Sequence, residues 1–135
     1  MMGTPEQGPA TTSDLDVRVP AGPAHLSSIR IATSGMAERA AFDRDTVAEL
    51  VLAVDEACSL LIRRASEGAR LTCHFAVAHH VLLFRAQVSS PSTWVPKTTS
   101  FCWRVISSLA DSASTMVDAD GMLHIELRRR EATLL

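Results

Sequence analysis

Glu56 and Leu60 stand four residues apart in Leu50–Ala65, LVLAVDEACSLLIRRA. On a helix that spacing makes them neighbours on one surface. A carboxylate there can accept or orient a proton in a transfer reaction. A leucine in the next turn offers no atom to a metal or a phosphate. Three cysteines, Cys58, Cys73 and Cys102, could support redox chemistry, but each falls on an expected core face, where cysteine behaves as a small hydrophobe. His74, His79 and His80 lie near Cys73, yet no C-x-x-C or H-x-x-x-H spacing accompanies them, so no metal site is expected. Arg128-Arg129-Arg130 reads as a solvated strand end rather than a nucleic-acid footprint.

The elements that position these residues follow from periodicity. Val47, Leu50, Val51, Val54, Cys58, Leu61 and Ala65 recur at helical spacing. Thr46 and Glu49 form an expected capping box, and Gly68 an expected stop. At 100° per residue, Glu49, Ala53, Glu56 and Leu60 fall on a side away from the Val54 stripe. Two readings of that side stand open. One is a solvated face with a scattered leucine; the other is the border of a pocket or interface.

Around this helix, Leu15–Val19 alternates as a strand. Ala24–Ala41 is an expected helix with Leu26, Ile29, Ala32, Thr33 and Met36 inward. Leu71–Val77 and Val81–Val88 read as a hairpin turning at Ala78–His80. Ser89–Ser100 is a loop. Thr99 or Ser100 caps a helix over Phe101–Ala110 whose inner face is Phe101, Cys102, Val105, Ile106 and Leu109. Ala113–Val117 and Met122–Arg128 close the chain as a hairpin around Asp120-Gly121. This order predicts an α+β fold, a two-layer sandwich with helices on one face of a mostly antiparallel sheet.

With 135 residues, 47% of them hydrophobic, the chain is expected to form one domain over 14–130, after a disordered lead at 1–13 and before a tail at 131–135. The formal charge of −2 gives no electrostatic case for direct nucleic-acid binding. No apolar run approaches the roughly 20 residues of a membrane span, and Met1–Ser13 lacks the pattern of a signal peptide. Odd, dispersed cysteines favour reduced thiols and a cytoplasmic setting. Two absences stand out. The chain has no asparagine, and it has no acidic residue from Gly68 to Ala110.

Leu52-Ala53-Val54, Glu56-Ala57-Cys58, Ile62 and Ala65 match the pattern L-x-L-A-V-x-E-A-C-T-N-A-I-x-H-A, with Ser59 for threonine. In this the helix resembles the N-box helix of the RsbW/SpoIIAB-type anti-sigma factor kinases, of the GHKL (Bergerat-fold) ATPase superfamily. Val105–Asp111, VISSLAD, is similar to that family's late helix, which ends in L-A-D. The similarity covers Leu15–Arg129.

The resemblance implies a role for several positions. Glu56 takes the general-base position of a serine kinase. Leu60 stands where the family keeps its magnesium-binding asparagine. Ser89-Ser90-Pro91-Ser92-Thr93 replaces an adenine-reading D-x-G-x-G. Thr98–Trp103 replaces a glycine-rich phosphate lid. Leu60, Ser89, Thr93, Ser100 and Trp103 are thus the degenerate positions of a nucleotide pocket. No cofactor is expected, although the family uses ATP with magnesium.

By resemblance the protein is a homodimeric regulator that sequesters an alternative sigma factor and answers to a STAS-fold anti-anti-sigma antagonist. Arg30, Glu38 and Arg39 on the first helix are the implied partner-binding residues. The alternative is an active kinase that phosphorylates its antagonist. A third reading is a degenerate subunit that inhibits an active paralogue by mixed dimerisation.

Overall fold

The computed structural model describes residues 13–131. The order of elements is β1 (Ser13–Pro20), α1 (Leu26–Arg39), α2 (Arg44–Arg64), β2 (Arg70–Ala78), β3 (Val81–Ser89), α3 (Phe101–Leu109), β4 (Ser112–Val117) and β5 (Met122–Arg130). The expected lead and tail fall outside the described residues, apart from Ser13, which opens β1, and Glu131, which follows β5. A 3-10 turn at Pro23–His25 replaces the first residues of the helix expected from Ala24, since proline suits a first turn that needs no donor.

All five strands pair antiparallel in the order β1-β2-β3-β5-β4. Alternation puts Leu71, Cys73, Phe75 and Val77 of β2 on the same face as Leu82, Phe84, Ala86 and Val88 of β3. Leu123, Ile125 and Leu127 of β5 continue that face. Phe75 and Phe84 sit directly opposite one another, ring centroids 5.1 Å apart. The three helices cover this face, so the apolar alternation of the strands and the stripe of α2 close one core. Among the described residues no helix is long and apolar enough to cross a membrane.

Several local expectations are corrected. Asp43, not Thr46, caps α2: its carboxylate accepts from the Thr46 amide at 2.8 Å. The ionised carboxylate is the stronger acceptor, and this bond holds Asp43 below the usual carboxylate range. Thr46 is buried instead, and Glu49 pairs with Arg129. Helix α2 ends at Arg64, before Gly68, which lies in the turn that follows. Helix α1 closes on Ala41 at φ 63°. Ala41 N–H donates to the Glu38 carbonyl and Phe42 N–H to the Ala37 carbonyl, the paired bonds of a Schellman motif that usually takes glycine.

The β2–β3 hairpin turns on His79 and His80, with φ 53° and 62°. Both values are the left-handed ones that a two-residue hairpin turn requires. The His80 ring donates from Nδ1 to the Ala40 carbonyl at 3.0 Å, fastening the turn to the end of α1.

Candidate functional site

Helix α2 lies between α1 and α3 on the sheet, which decides the fate of its Glu56 side. Burial extends beyond the Val54 stripe to Ala53 and Leu60, which is only 3% exposed. That corrects the solvated-face reading. The pocket-border reading is also too open at Leu60, because α3 has packed over that flank. Leu60, Trp103 and Ile106 belong to one core. Glu56, one turn before Leu60, stays half-buried.

Helix α3 is rotated from its expected orientation. Trp103 and Ile106 are its buried residues, while Phe101, expected inward, is 80% exposed. Burying the larger indole removes more apolar surface from water than burying the phenyl ring. Ser100 caps the helix, accepting from the Trp103 amide at 3.3 Å. The expectation of a cap at Thr99 or Ser100 thus resolves to Ser100.

The loop from Ser90 to Ser100 folds against the end of α2. The Arg64 guanidinium lies 3.7 Å from the centroid of the Trp94 ring. Ser89 ends β3 and accepts the Ser66 amide on its carbonyl at 2.8 Å. The next residue, Ser90, donates its amide to the Gly121 carbonyl, and its hydroxyl is buried with no partner among the described residues. Thr93 is exposed on the loop. The fold therefore brings Leu60, Ser100 and Trp103 to one flank between α2 and α3, with Ser89 at the base of the loop and Thr93 outside.

Arg30, Glu38 and Arg39 lie on α1, on the far side of α2 from this flank, and all three are exposed. Arg30 donates to Asp55 of α2 at 2.7 Å, which raises the guanidinium pKa further. Arg39 lines a shallow groove with Leu15, Ala32, Gly35 and Met36, between α1 and the edge strand β1.

Three features were not anticipated from the sequence. Arg129 is not part of a solvated strand end: its side chain is 15% exposed and bonds to Glu49 and to the Leu109 carbonyl. Cys58 and Cys73 meet across α2 and β2 with sulfurs 4.0 Å apart. Their predicted core positions were the available signal, but which helix residue met which strand residue was not readable. His74 and His124 form separate pairs with Asp16 and Asp118 on the open sheet face. His74 thus points away from Cys73, as strand alternation requires.

A single antiparallel sheet covered on one face by helices, with an N-box-like helix between its two neighbours, defines a GHKL-type α+β domain. No protein-family model matches the chain. The chain is 31% identical over 104 residues to anti-sigma-F factor RsbW of Mycobacterium tuberculosis, in both strain CDC 1551 / Oshkosh and strain ATCC 25618 / H37Rv. That match covers 77% of this chain and 62% of the relatives' length. The crystal structure of the RsbU and RsbW domains of Rv1364c from Mycobacterium tuberculosis has the same fold, with a TM-score of 0.66 at 15% identity over 87% of this chain and 32% of that one. In sequence the chain is similar to the RsbW anti-sigma-F factors, of which it spans about three fifths, and in fold to an RsbW-domain structure.

Proposed function

We propose that this domain is an anti-sigma regulator that works by holding a protein partner, with phosphoryl transfer lost or weak. The partner class, by kinship with the anti-sigma-F factors, is an alternative sigma factor. Release is proposed to depend on a STAS-fold antagonist, and the working form is proposed to be a cytoplasmic homodimer. The exposed residues of α1, Arg30, Glu38 and Arg39 among them, are the proposed partner surface.

One observation carries the non-catalytic part of this reading. Leu60 and Trp103 are closed into the core at the positions where the family would hold magnesium and open a phosphate lid. Magnesium demands hard oxygen donors in near-octahedral geometry. A buried leucine supplies none, and at Trp103 the indole is buried while the backbone amide already donates to the Ser100 hydroxyl. The residues present do not fit a magnesium–nucleotide complex. Phosphoryl transfer rests almost wholly on positioning and metal electrostatics, so Glu56 alone is a poor basis for a kinase.

The test is calorimetric titration with ATP, with and without magnesium, beside a capture experiment with sigma factors of the protein's own host. The expected result is no magnesium-dependent heat and stoichiometric capture of one sigma factor. Magnesium-strengthened ATP binding, with phosphorylation of an antagonist abolished by Glu56→Gln, would instead establish the kinase alternative. Failure to retain any sigma factor or STAS-fold protein would remove the regulator reading.

A further inference from the structure

The acid-free stretch between Gly68 and Ala110 contributes to an unbalanced surface where α2, the 90–100 loop and α3 meet. Four exposed cations gather there: Arg63 and Arg64 from α2, Lys97 from the loop, and Arg104 from α3. None forms an ion pair among the described residues. Arg129, near the end of β5, is by contrast pinned to Glu49. The acidic residues nearest in sequence are Glu56, some two turns ahead of Arg63, Glu67, beyond the helix end, and Asp111, after α3; none bonds to these cations, and Asp111 accepts the Arg130 amide.

Contacts between these elements place the four cations on adjoining surfaces. Arg64 stacks on Trp94. Arg63 donates from Nη2 to the Cys102 sulfur at 3.5 Å. The Lys97 carbonyl accepts the Ser100 amide, and the Ser100 carbonyl accepts the Arg104 amide. Phe101 and Arg104 are three apart on α3, so they share its outer face.

The same two elements, α3 and the 90–100 loop, also expose apolar side chains. Phe101 is 80% exposed and Val95 is 39% exposed. A lone surface apolar residue needs no explanation. An exposed phenyl ring on the same helix face as the unpaired Arg104 guanidinium is different, because aromatic and arginine side chains are what interfaces concentrate. Stacking on Trp94 also holds the Arg64 guanidinium in place before any partner arrives, which reduces the ordering lost on binding.

We infer that this surface docks an acidic protein segment carrying an apolar anchor, the carboxylates meeting Arg63, Arg64, Lys97 and Arg104 and the anchor lying on Phe101 and Val95. A nucleic acid fits less well, since the chain carries a net charge of −2 and a backbone-binding surface draws its affinity from an excess of cations. The inference does not depend on the sigma-factor reading, because it concerns only the chemistry of one patch.

Fluorescence anisotropy of a labelled peptide tests it: alternating glutamate and serine with one central leucine–phenylalanine pair, titrated with the full chain. The peptide is expected to bind, and to bind more weakly as salt is raised. A Lys97→Glu, Arg104→Glu double variant is expected to lose about tenfold in affinity. Phe101→Ser is expected to lose about fivefold, with an unchanged melting temperature because the ring is exposed. Absence of binding, equal binding by parent and variants, or tighter binding of a single-stranded oligonucleotide of the same length would each overturn the inference.

Discussion

Arg129, near the end of β5, donates from Nη2 to Glu49 of α2 at 2.9 Å and from Nη1 to the Leu109 carbonyl of α3 at 2.7 Å. Its register explains why. Arg129 pairs with Leu82, which pairs with Val77, so it stands in a row that faces the helices. A cation there reaches two elements at once and supplies the donor that the last carbonyls of α3 lack. Arg129→Ala is expected to destabilise the fold by about 1–3 kcal/mol, since a charge-assisted bond is lost and a carbonyl is stranded. Arg128→Ala, on the exposed side of the same strand, is expected to stay within about 0.5 kcal/mol. Urea unfolding of the two variants decides it, and equal midpoints would reduce Arg129 to a surface residue.

Ala41 closes α1 in the left-handed region, where a Cβ crowds the backbone. Its amide and that of Phe42 already make the capping bonds, so the geometry is fixed by the motif and only the residue type is unfavourable. Ala41→Gly is expected to stabilise the protein by about 1 kcal/mol and raise the thermal midpoint by a few degrees. A lowered midpoint would show that the turn is not held in this conformation in solution.

The same elements show what could be read from the sequence and what could not. Alternation over β2, β3 and β5 gave the core face because a strand's side-chain period is fixed and one face was apolar. The stripe of α2 gave its inner face for the same reason. Leu60 and Ala53 escaped that logic because α2 is covered on a flank as well as on its sheet side, and one helix's periodicity does not say what its neighbours will cover. Phe101 and Trp103 compete for the same inward position within one turn, and which ring turns in depends on space set by α2. The Thr46–Glu49 capping box lost to Asp43, three residues earlier, because a nearer carboxylate satisfied the helix start first. At the candidate site the motif gave the helix and the position of Glu56, while the filling of the flank by Trp103 needed tertiary structure.

Cys58 has its thiol pKa pushed well above the ordinary range, first by its hydrogen bond with Cys73 and then by burial. The folded state therefore holds the proton more tightly than the unfolded chain does. Stability from the neutral Cys58 thiol is fully present below the unfolded thiol pKa of about 8.5 and is lost as pH rises above it. The folding constant is expected to fall by up to about tenfold per pH unit above that point. Cys58→Ala is expected to flatten this alkaline slope even though it is less stable at neutral pH. Chemical unfolding from pH 7 to 10 measures both, and an unchanged slope in the variant would place the alkaline loss elsewhere.

Leu60 offers the sharpest test of the site, because two expectations diverge there. If only a missing ligand prevented magnesium–nucleotide binding, Leu60→Asn would restore the family residue and with it some binding. Leu60 is 3% exposed and packed into the core with Trp103, however, so an asparagine amide placed there must lose its water without an evident partner. We expect Leu60→Asn to destabilise the fold by about 2–4 kcal/mol, from lost apolar burial and an unsatisfied amide together. We expect it to bind ATP no better than the parent in the presence of magnesium, because Trp103 still occupies the flank. Pairing Leu60→Asn with Trp103→Gly separates the two obstacles: magnesium-dependent heat in the double variant but not in either single one would show that the indole and the missing ligand act together. Binding recovered by Leu60→Asn alone, in a protein as stable as the parent, would mean that this flank is open in solution and that the non-catalytic reading is wrong.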